Sequence, residues 1–337
     1  MTESITNVKT LTRFLLTHVS EEELRNDLAI LFTQISLATK VTANAIRRAA
    51  IEHLLGEAGV VNVQGEDVKK LDIVANDAFR NAMVQSELIA AIASEEDDEI
   101  ILVQNGHGKY TISYDPLDGS SNIDANVSIG SIFGIHKKLT PGAGVQKSDI
   151  LQPGSKQIAA GYSLYGTSIM LVISLGEGVN GFTLDNSLGE FVLTHPNIKM
   201  KPTAPIYSIN EGNSIYWDNQ TKQYVEYLKT TSKDKKAPYS LRYVGSMVAD
   251  VHRTLLYGGI FMYPGDSKSP NGKLRYLYEV SPLSFIMEQA GGASVIGAQR
   301  ALDVIPTHIH MRVPCFMGSK DDVARIQQLY TAATASL

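Results

Sequence analysis

The spacing of short apolar runs changes near residue 200, and this change limits the folds that the chain can adopt. Before it, strand-like runs alternate with turn residues such as Gly176 and Asn186, a pattern typical of a mostly antiparallel sheet. These runs are Ile100–Val103, Tyr110–Tyr114, Ile129–His136, Ile158–Tyr162, Ser168–Leu175 and Gly181–Leu184. Beyond the segment Pro196–Pro205, strand-like runs alternate with helical ones, which indicates an α/β arrangement. We therefore predict a mixed α/β (α+β) fold with two lobes, 1–200 and 201–337.

Periodic apolar residues predict the helices. Glu21–Leu55 has apolar side chains at three- and four-residue steps and Gly56 as a stop, so it is predicted to form one or two helices, and Val68–Met83 a further one. The elements predicted for the second lobe are strand Ile206–Ile209, helix Ser246–Tyr257, strand Ile260–Tyr263, helix Pro282–Gln289 and a last helical stretch, Arg325–Tyr330. The segment Thr230–Pro238 is predicted to be an exposed loop.

Charge and cysteine content exclude several classes of protein. Thirty Lys and Arg stand against 35 Asp and Glu, and the net charge of -5 comes without a basic block, so no nucleic-acid or membrane partner is predicted. No run approaches the ~18 apolar residues of a membrane helix, and the first nine residues do not resemble a signal peptide. Cys315 is the only cysteine, which favours a reducing, cytoplasmic location.

The densest chemical signal is the acidic turn Asp115–Asn122, which directly follows a strand-like run. Asp115 and Asp118 are three residues apart on a Pro/Gly turn, so their carboxylates can converge on one point. The same turn exposes the Leu117 carbonyl and several amides, which supplies oxygen ligands for a cation beside donors for a phosphate. Because these residue types also favour ordinary solvated turns, the turn alone leaves both interpretations open.

Further acids lie in apolar surroundings. Glu95 and Glu96 end an apolar segment, where one of them can point into a cleft, whereas Asp97–Glu99 are interpreted as a solvated face. Asp72 and Glu279 are each flanked by apolar residues, where a carboxylate is seldom buried unless it is paired or binds metal. Together these acids support one hypothesis, a pocket of carboxylates around two or more Mg²⁺ ions, since magnesium prefers oxygen ligands and usually meets substrate phosphates. No zinc site is predicted, because the histidines lack ligand spacing.

Several ordered motifs match one family over nearly the whole chain. They are Asp115–Asn122 (DPLDGSSN), Ser94–Glu96, Lys69–Asp72, Ala160–Tyr162, Tyr207–Asn213, Arg242–Asp250 and Gly272–Arg275. Through them the chain resembles class I fructose-1,6-bisphosphatase, of the inositol-phosphatase-like sugar phosphatase superfamily. The resemblance implies a layered α-β-α-β-α fold and Mg-dependent hydrolysis of the 1-phosphate of D-fructose 1,6-bisphosphate, a step of gluconeogenesis.

The resemblance also implies a role for each matching residue. The implied metal ligands, for two or three Mg²⁺ ions that Mn²⁺ can replace, are Glu95, Asp115, Leu117 through its carbonyl, Asp118 and Glu279. Asp72 and Glu96 are implied as the pair that activates the attacking water. The implied substrate contacts are Asp118, Gly119, Ser120, Ser121, Asn210, Arg242, Tyr243, Tyr263 and Lys273. In this family the residue that matches Arg242 reaches from one subunit to the 6-phosphate of the substrate bound by its neighbour, which implies a homo-oligomer, typically a tetramer.

The first lobe departs from the family pattern at the nucleotide site. Members inhibited by AMP have a Gly/Thr/Glu-rich turn at a helix start, whereas Leu24–Ala29 here (LRNDLA) contains no glycine or threonine. Lys109 and Tyr110 match the family's site, and Lys137 stands where an arginine is usual. We therefore expect weak or absent inhibition by AMP. The single cysteine also excludes the disulfide switch of plastid relatives.

Other functions stay open at this point. A sedoheptulose-1,7-bisphosphatase or a dual-specificity sugar bisphosphatase would have the same metal site and differ only in the sugar pocket. A non-catalytic phosphosugar-binding protein is a more remote alternative, since it would be expected to have lost an acid of the set and none is missing. Inositol-phosphate phosphatases lack the Ser-Ser-Asn ending of the turn.

Overall fold

Two large β-sheets, the helices that cover them and two pairs of short strands make up most of the described part of the chain. The structure is a computed structural model, and it describes residues 8–61, 67–231 and 237–335. The helices are α1 (Leu11–His18), α2 (Glu22–Arg48), α3 (Lys70–Gln85), α4 (Lys147–Ile150), α5 (Asn219–Lys229), α6 (Met247–Tyr257), α7 (Ser281–Gln289) and α8 (Lys320–Thr334). The strands are β1 (Glu57–Val61), β2 (Asp67–Lys69), β3 (Ile89–Ser94), β4 (Ile101–Leu102), β5 (Tyr110–Asp118), β6 (Ile129–Lys137), β7 (Gln157–Tyr165), β8 (Ile169–Ser174), β9 (Val179–Asp185), β10 (Glu190–Ile198), β11 (Ile206–Ser208), β12 (Ser240–Leu241), β13 (Ile260–Tyr263), β14 (Leu274–Arg275), β15 (Ala293–Val295), β16 (Arg312–Val313) and β17 (Cys315–Gly318).

The larger sheet is the mostly antiparallel sheet that the sequence predicts. Its strand order is β10-β9-β8-β7-β6-β5-β3-β4, and among its neighbours only β3 and β5 run parallel. Every residue of β3 and of β5 is buried, as expected for strands with helices on both faces. This parallel pair brings the ends of β3 and β5 to the same edge of the sheet.

Aromatic pairs join α1, α2 and α3 to one face of this sheet. The pairs, with their ring-centroid distances, are Phe14–Phe182 at 5.3 Å, Phe32–Phe133 at 5.9 Å and Phe79–Tyr114 at 5.4 Å. Such contacts add to the burial of apolar area, which is the main stabilising term of a core.

The opposite face of the larger sheet packs against α6 and α7, and these helices also cover the second sheet. Val172 of β8, Val251 of α6, Ile286 of α7 and Met317 of β17 belong to one buried cluster. The far side of the second sheet packs against α5 and α8. The layers therefore follow the order α-β-α-β-α, which confirms the predicted fold class. The division into lobes of residues 1–200 and 201–337 stays a prediction.

The second sheet has the strand order β12-β11-β13-β17-β15. β12, β11 and β13 are parallel, and β17 is antiparallel to both of its neighbours. Pro282 lies in the first turn of α7, where its missing N–H group costs no hydrogen bond, as the sequence predicts for this helix start.

The structure differs from the predicted elements mainly at their ends. α2 ends at Arg48 and not near Leu55, because the chain turns there and His53 has a positive φ of 57°. α3 begins at Lys70, since the preceding residues pair as β2. The predicted loop Thr230–Pro238 lies largely outside the described residues, at 232–236.

Candidate active site

The acidic turn lies where β5 ends beneath the start of α6. β5 continues through Asp118, so both aspartates belong to the strand, with a break in the register between them. Asp115 Oδ1 accepts a hydrogen bond from the Leu117 amide at 2.9 Å, and Asp118 Oδ2 accepts one from the Val248 amide of α6 at 2.8 Å. Gly119 then turns the chain with a φ of 79°, and a Cβ at this position would meet Ser246 Oγ at 2.8 Å. Only glycine fits this turn without strain.

Two other segments bring glutamates to the same place. Glu95 follows β3, and its amide donates to the Tyr114 carbonyl at 3.2 Å, which continues the parallel pairing with β5. Glu279 belongs to a π-helical turn, Tyr276–Val280, that precedes α7. One carboxylate oxygen from each of Glu95, Asp115 and Glu279 can be chosen so that all three lie within 4.8 Å of one another. All three residues are buried.

Arg275 is the cation of this cluster, and sequence analysis assigned it no role. Its Nη2 lies 3.0 Å from Glu95 Oε1, its Nη1 lies 3.4 Å from Glu279 Oε1, and its amide donates to Glu279 Oε2 at 2.6 Å. The signal that could have found it is its position four residues before Glu279, a spacing that suits an ion pair within a helical turn.

Burial makes the ionised state of these acids costly. It is the main cause that raises the pKa of Asp118 to about 7 and that of Glu279 to about 8. Burial also raises the pKa of Asp115 well above its usual range, and the charge of Glu95 adds to the shift. The Val248 amide and Arg275 oppose the shifts of Asp118 and Glu279, respectively, but do not cancel them.

The donor set fits a hard divalent cation. Buried carboxylates that outnumber the one guanidinium beside them need further positive charge to stay ionised together. Carboxylate and carbonyl oxygens are the ligands that such cations prefer. The cluster could therefore hold a metal ion, and a bound ion would reverse the pKa shifts that burial causes.

Asp72 and Glu96 face the same cavity from two other positions. Asp72 lies in the first turn of α3, where its Oδ2 accepts from the Lys69 amide at 2.7 Å. Its Oδ1 is buried and has no hydrogen-bond partner among the described residues. Burial raises the pKa of Asp72 to about 7. Glu96 is half-buried, and its amide donates to Ser94 Oγ at 3.3 Å.

A cavity of about 580 Å³ collects most of the predicted site residues. Those that line it are Asp72, Glu95, Glu96, Asp115, Leu117, Asp118, Gly119, Ser120, Ser121, Tyr243, Tyr263 and Glu279. Asn210, Arg242 and Lys273 are exposed and are not among its lining residues. Asp250 lines it as well, although sequence analysis gave it no role, and it holds the turn beside Tyr243 through the amides of Val244 and Gly245.

A second cavity, of about 470 Å³, lies at the start of α2, in the region that the sequence compares with the family's nucleotide site. Leu24, Lys109, Tyr110 and Lys137 are among its lining residues. The Lys109 ammonium is bound to two carboxylates, to Glu23 at 2.8 Å and to Asp27 at 2.9 Å. The Tyr110 hydroxyl donates to the same Asp27 at 2.8 Å.

Among the described residues, no helix combines the length and the apolar character that a bilayer crossing needs.

Comparison with known proteins identifies the family. Residues 9–196 match the model of the family described as fructose-1-6-bisphosphatase, N-terminal domain, and residues 200–331 match that of its C-terminal domain. The cytosolic fructose-1,6-bisphosphatase of Solanum tuberosum is 55% identical over 329 residues, 97% of this chain and 96% of that one. The cytosolic enzyme of Arabidopsis thaliana is 55% identical over 327 residues, 96% of this chain and 95% of that one.

A solved structure agrees with these sequence matches. The crystal structure of Leishmania major fructose-1,6-bisphosphatase in holo form superimposes with a TM-score of 0.90 at 41% identity, over 96% of this chain and 99% of that one. The word cytosolic in the relatives' names agrees with the location predicted from the single cysteine. The resemblance found in the motifs is confirmed, and the chain belongs to the fructose-1,6-bisphosphatase family.

Proposed function

We propose that this chain hydrolyses the 1-phosphate of D-fructose 1,6-bisphosphate, which makes it a phosphoric monoester hydrolase that releases fructose 6-phosphate and inorganic phosphate. The observation that carries the proposal is that six acids from four segments of the chain line one cavity: Asp72, Glu95, Glu96, Asp115, Asp118 and Glu279. Relatives that are 55% identical over nearly the whole chain carry the name of this enzyme.

The cofactor that fits this cavity best is Mg²⁺, in two or three ions per subunit, with Mn²⁺ as a substitute. The residues that would hold it are Glu95, Asp115, Asp118, Glu279 and Leu117 through its carbonyl. They line one cavity and offer buried oxygen ligands. When bound, Mg²⁺ supplies positive charge that neutralises the phosphate and stabilises the departing oxygen.

The chain's own residues would act on the water and on the phosphate. The unpartnered Oδ1 of Asp72 and the carboxylate of Glu96 are the proton acceptors for the attacking water. The amides of Gly119, Ser120 and Ser121 lie at the start of a helical turn, where backbone N–H groups have no acceptor within the turn. These amides can therefore donate to the phosphate that is removed.

The sugar and the phosphate that stays would lie towards the second sheet. Tyr243 and Tyr263 line the cavity on that side, and Asn210 and Lys273 are exposed polar residues of the same half of the chain. Arg242 is exposed, and its Nη1 donates to the Leu241 carbonyl at 2.8 Å. We propose that Arg242 contacts the 6-phosphate of a neighbouring subunit in a homotetramer.

One assay tests the proposed activity. Phosphate release is measured from fructose 1,6-bisphosphate, fructose 6-phosphate and sedoheptulose 1,7-bisphosphate, each with Mg²⁺, with Mn²⁺ and with a chelator. We expect one phosphate per fructose 1,6-bisphosphate, none from fructose 6-phosphate and no turnover after chelation. A preference for sedoheptulose 1,7-bisphosphate would contradict the proposal, and so would phosphate release at the same rate with and without a metal ion.

Arg242→Ala is expected to raise KM for fructose 1,6-bisphosphate by about 10- to 100-fold with little change in kcat, because charge-assisted hydrogen bonds contribute about 1.5–3 kcal/mol. Steady-state kinetics measures this, and Arg13→Ala, an exposed arginine of α1, is the matched control. Mixed oligomers of Arg242→Ala and Asp118→Ala subunits should regain the normal KM, because the second variant supplies an intact Arg242 to its neighbour. An unchanged KM in Arg242→Ala would remove this residue from the substrate site.

AMP at micromolar concentration is expected to leave the rate unchanged. A nucleotide phosphate beside Lys109 would meet the carboxylates of Glu23 and Asp27, which already neutralise this lysine. Initial rates over a range of AMP concentrations test the prediction, with inorganic phosphate, the product, as a control for the assay's response to inhibition. Half-inhibition by micromolar AMP would show that this cavity accepts the nucleotide after all.

A further inference from the structure

Asp97, the residue after Glu96, is bound to helix α3. Arg80 donates from Nη2 to Asp97 Oδ1, and Asn76 donates from Nδ2 to Asp97 Oδ2 at 3.3 Å. The Asp97 side chain is only 20% exposed. The interpretation of Asp97 as part of a solvated acidic face is therefore wrong, because two donors from one helix hold both of its carboxylate oxygens.

The other side of Glu96 is tied to the same helix. Ser94 Oγ donates to Asn76 Oδ1 at 2.8 Å and accepts from the Glu96 amide at 3.3 Å. Asn76 therefore uses both ends of its amide, one for Ser94 and one for Asp97. Ser94 and Asn76 are buried, so these hydrogen bonds are sheltered from competing water.

The residues of α3 that make these contacts share a face with Asp72. Asp72, Asn76 and Arg80 follow one another at four-residue steps, a spacing that places side chains in a row along a helix. Helix α3 thus carries Asp72 at its start and, one and two turns later, the groups that bind Ser94 and Asp97, which lie two residues before and one residue after Glu96.

We propose that Arg80 and Asn76 are positioning residues that hold the Glu96 carboxylate in register with Asp72 for the activation of water. The proposal rests on the proposed function, in which these two acids take the proton of the attacking water. Glu96 lies on a short turn after β3, and the contacts of Ser94 and Asp97 with α3 fix this turn relative to Asp72, with the accuracy that proton transfer requires. Arg80 contributes to the rate through Asp97 and does not contact the substrate.

Arg80→Met tests the proposal, since methionine replaces the apolar stem of the arginine side chain and removes its donors. A misplacement of ~1 Å can lower a rate by ~100-fold, and because Asn76 remains in place we expect kcat to fall about ten-fold. KM for fructose 1,6-bisphosphate and the Mg²⁺ concentration for half-activation should stay unchanged. Arg80→Lys should restore part of the rate, because an ammonium can still pair with Asp97.

Arg48→Met is the matched control. Arg48 is also a helical arginine, and its Nε lies 2.5 Å from Glu52 Oε1. Neither residue lines the cavity, so the loss of this pair should leave kcat unchanged. Thermal unfolding of each variant separates a loss of rate from a loss of folded protein.

A double-variant cycle with Glu96→Gln decides whether Arg80 acts through Glu96. In the Glu96→Gln background, Arg80→Met should lower kcat no further, because the group that it positions is already gone. A normal kcat in Arg80→Met, or an equal ten-fold loss in both backgrounds, would overturn the proposal. A normal kcat in Glu96→Gln alone would instead overturn the role of Glu96 in the proposed function, so the two failures are distinguishable.

Discussion

Asp118→Ala is expected to lower kcat/KM for fructose 1,6-bisphosphate by about 1,000-fold at saturating Mg²⁺. Asp118 is one of the proposed metal ligands, and it joins the end of β5 to the start of α6 through the Val248 amide. The positive charge of a bound metal ion stabilises the transition state by several kcal/mol, and each ~1.4 kcal/mol corresponds to about ten-fold in rate. Steady-state kinetics over a range of Mg²⁺ concentrations measures the loss.

Asp118→Asn separates the charge of Asp118 from its structural contact. The asparagine Oδ1 can still accept from the Val248 amide, so the start of α6 stays in place while the negative charge is lost. We expect a loss close to that of Asp118→Ala, together with a normal thermal unfolding temperature. Near-normal turnover of either variant at saturating Mg²⁺ would show that Asp118 does not hold the metal.

The acidic turn could be predicted from the sequence because its information is local. A Pro/Gly turn after an apolar run predicts a strand end, and two aspartates three residues apart predict convergence. Asp115 and Asp118 line the same cavity, and the strand runs on through both of them. Asp72 and Glu279, which have apolar neighbours in the sequence, are both buried and line the same cavity. Burial of a carboxylate is costly unless a partner or a metal compensates its charge.

What the sequence did not reveal depends on contacts between distant segments. β3 has a small-residue sequence, IAAIAS, without the alternation of a half-buried strand, and only its place between β4 and β5 defines it. The sequence predicts a solvated Asp97 for the same reason, since its partner Arg80 lies 17 residues away in the chain, on α3. The ion pair of Arg275 with Glu95 joins segments 180 residues apart, which no local pattern can show.

Glu96→Gln is expected to lower kcat by about 100- to 1,000-fold, because general base catalysis contributes about 10²–10⁴-fold. The glutamine keeps the shape of the side chain and cannot accept the proton of the attacking water. KM and the Mg²⁺ concentration for half-activation should change little, since the metal ligands proposed above do not include Glu96. Glu99→Gln, an exposed acid of the same run, is the control and should turn over normally.

Asp72 is the second acid that we propose as a proton acceptor for the attacking water. Asp72→Asn should lower kcat by a similar factor, and the double variant should be little slower than either single one, because both acids would serve the same proton. Additive losses would mean that the two acids act in separate steps. A normal kcat in Glu96→Gln would remove Glu96 from the reaction, and a raised Mg²⁺ requirement with normal kcat would make Glu96 a metal ligand instead.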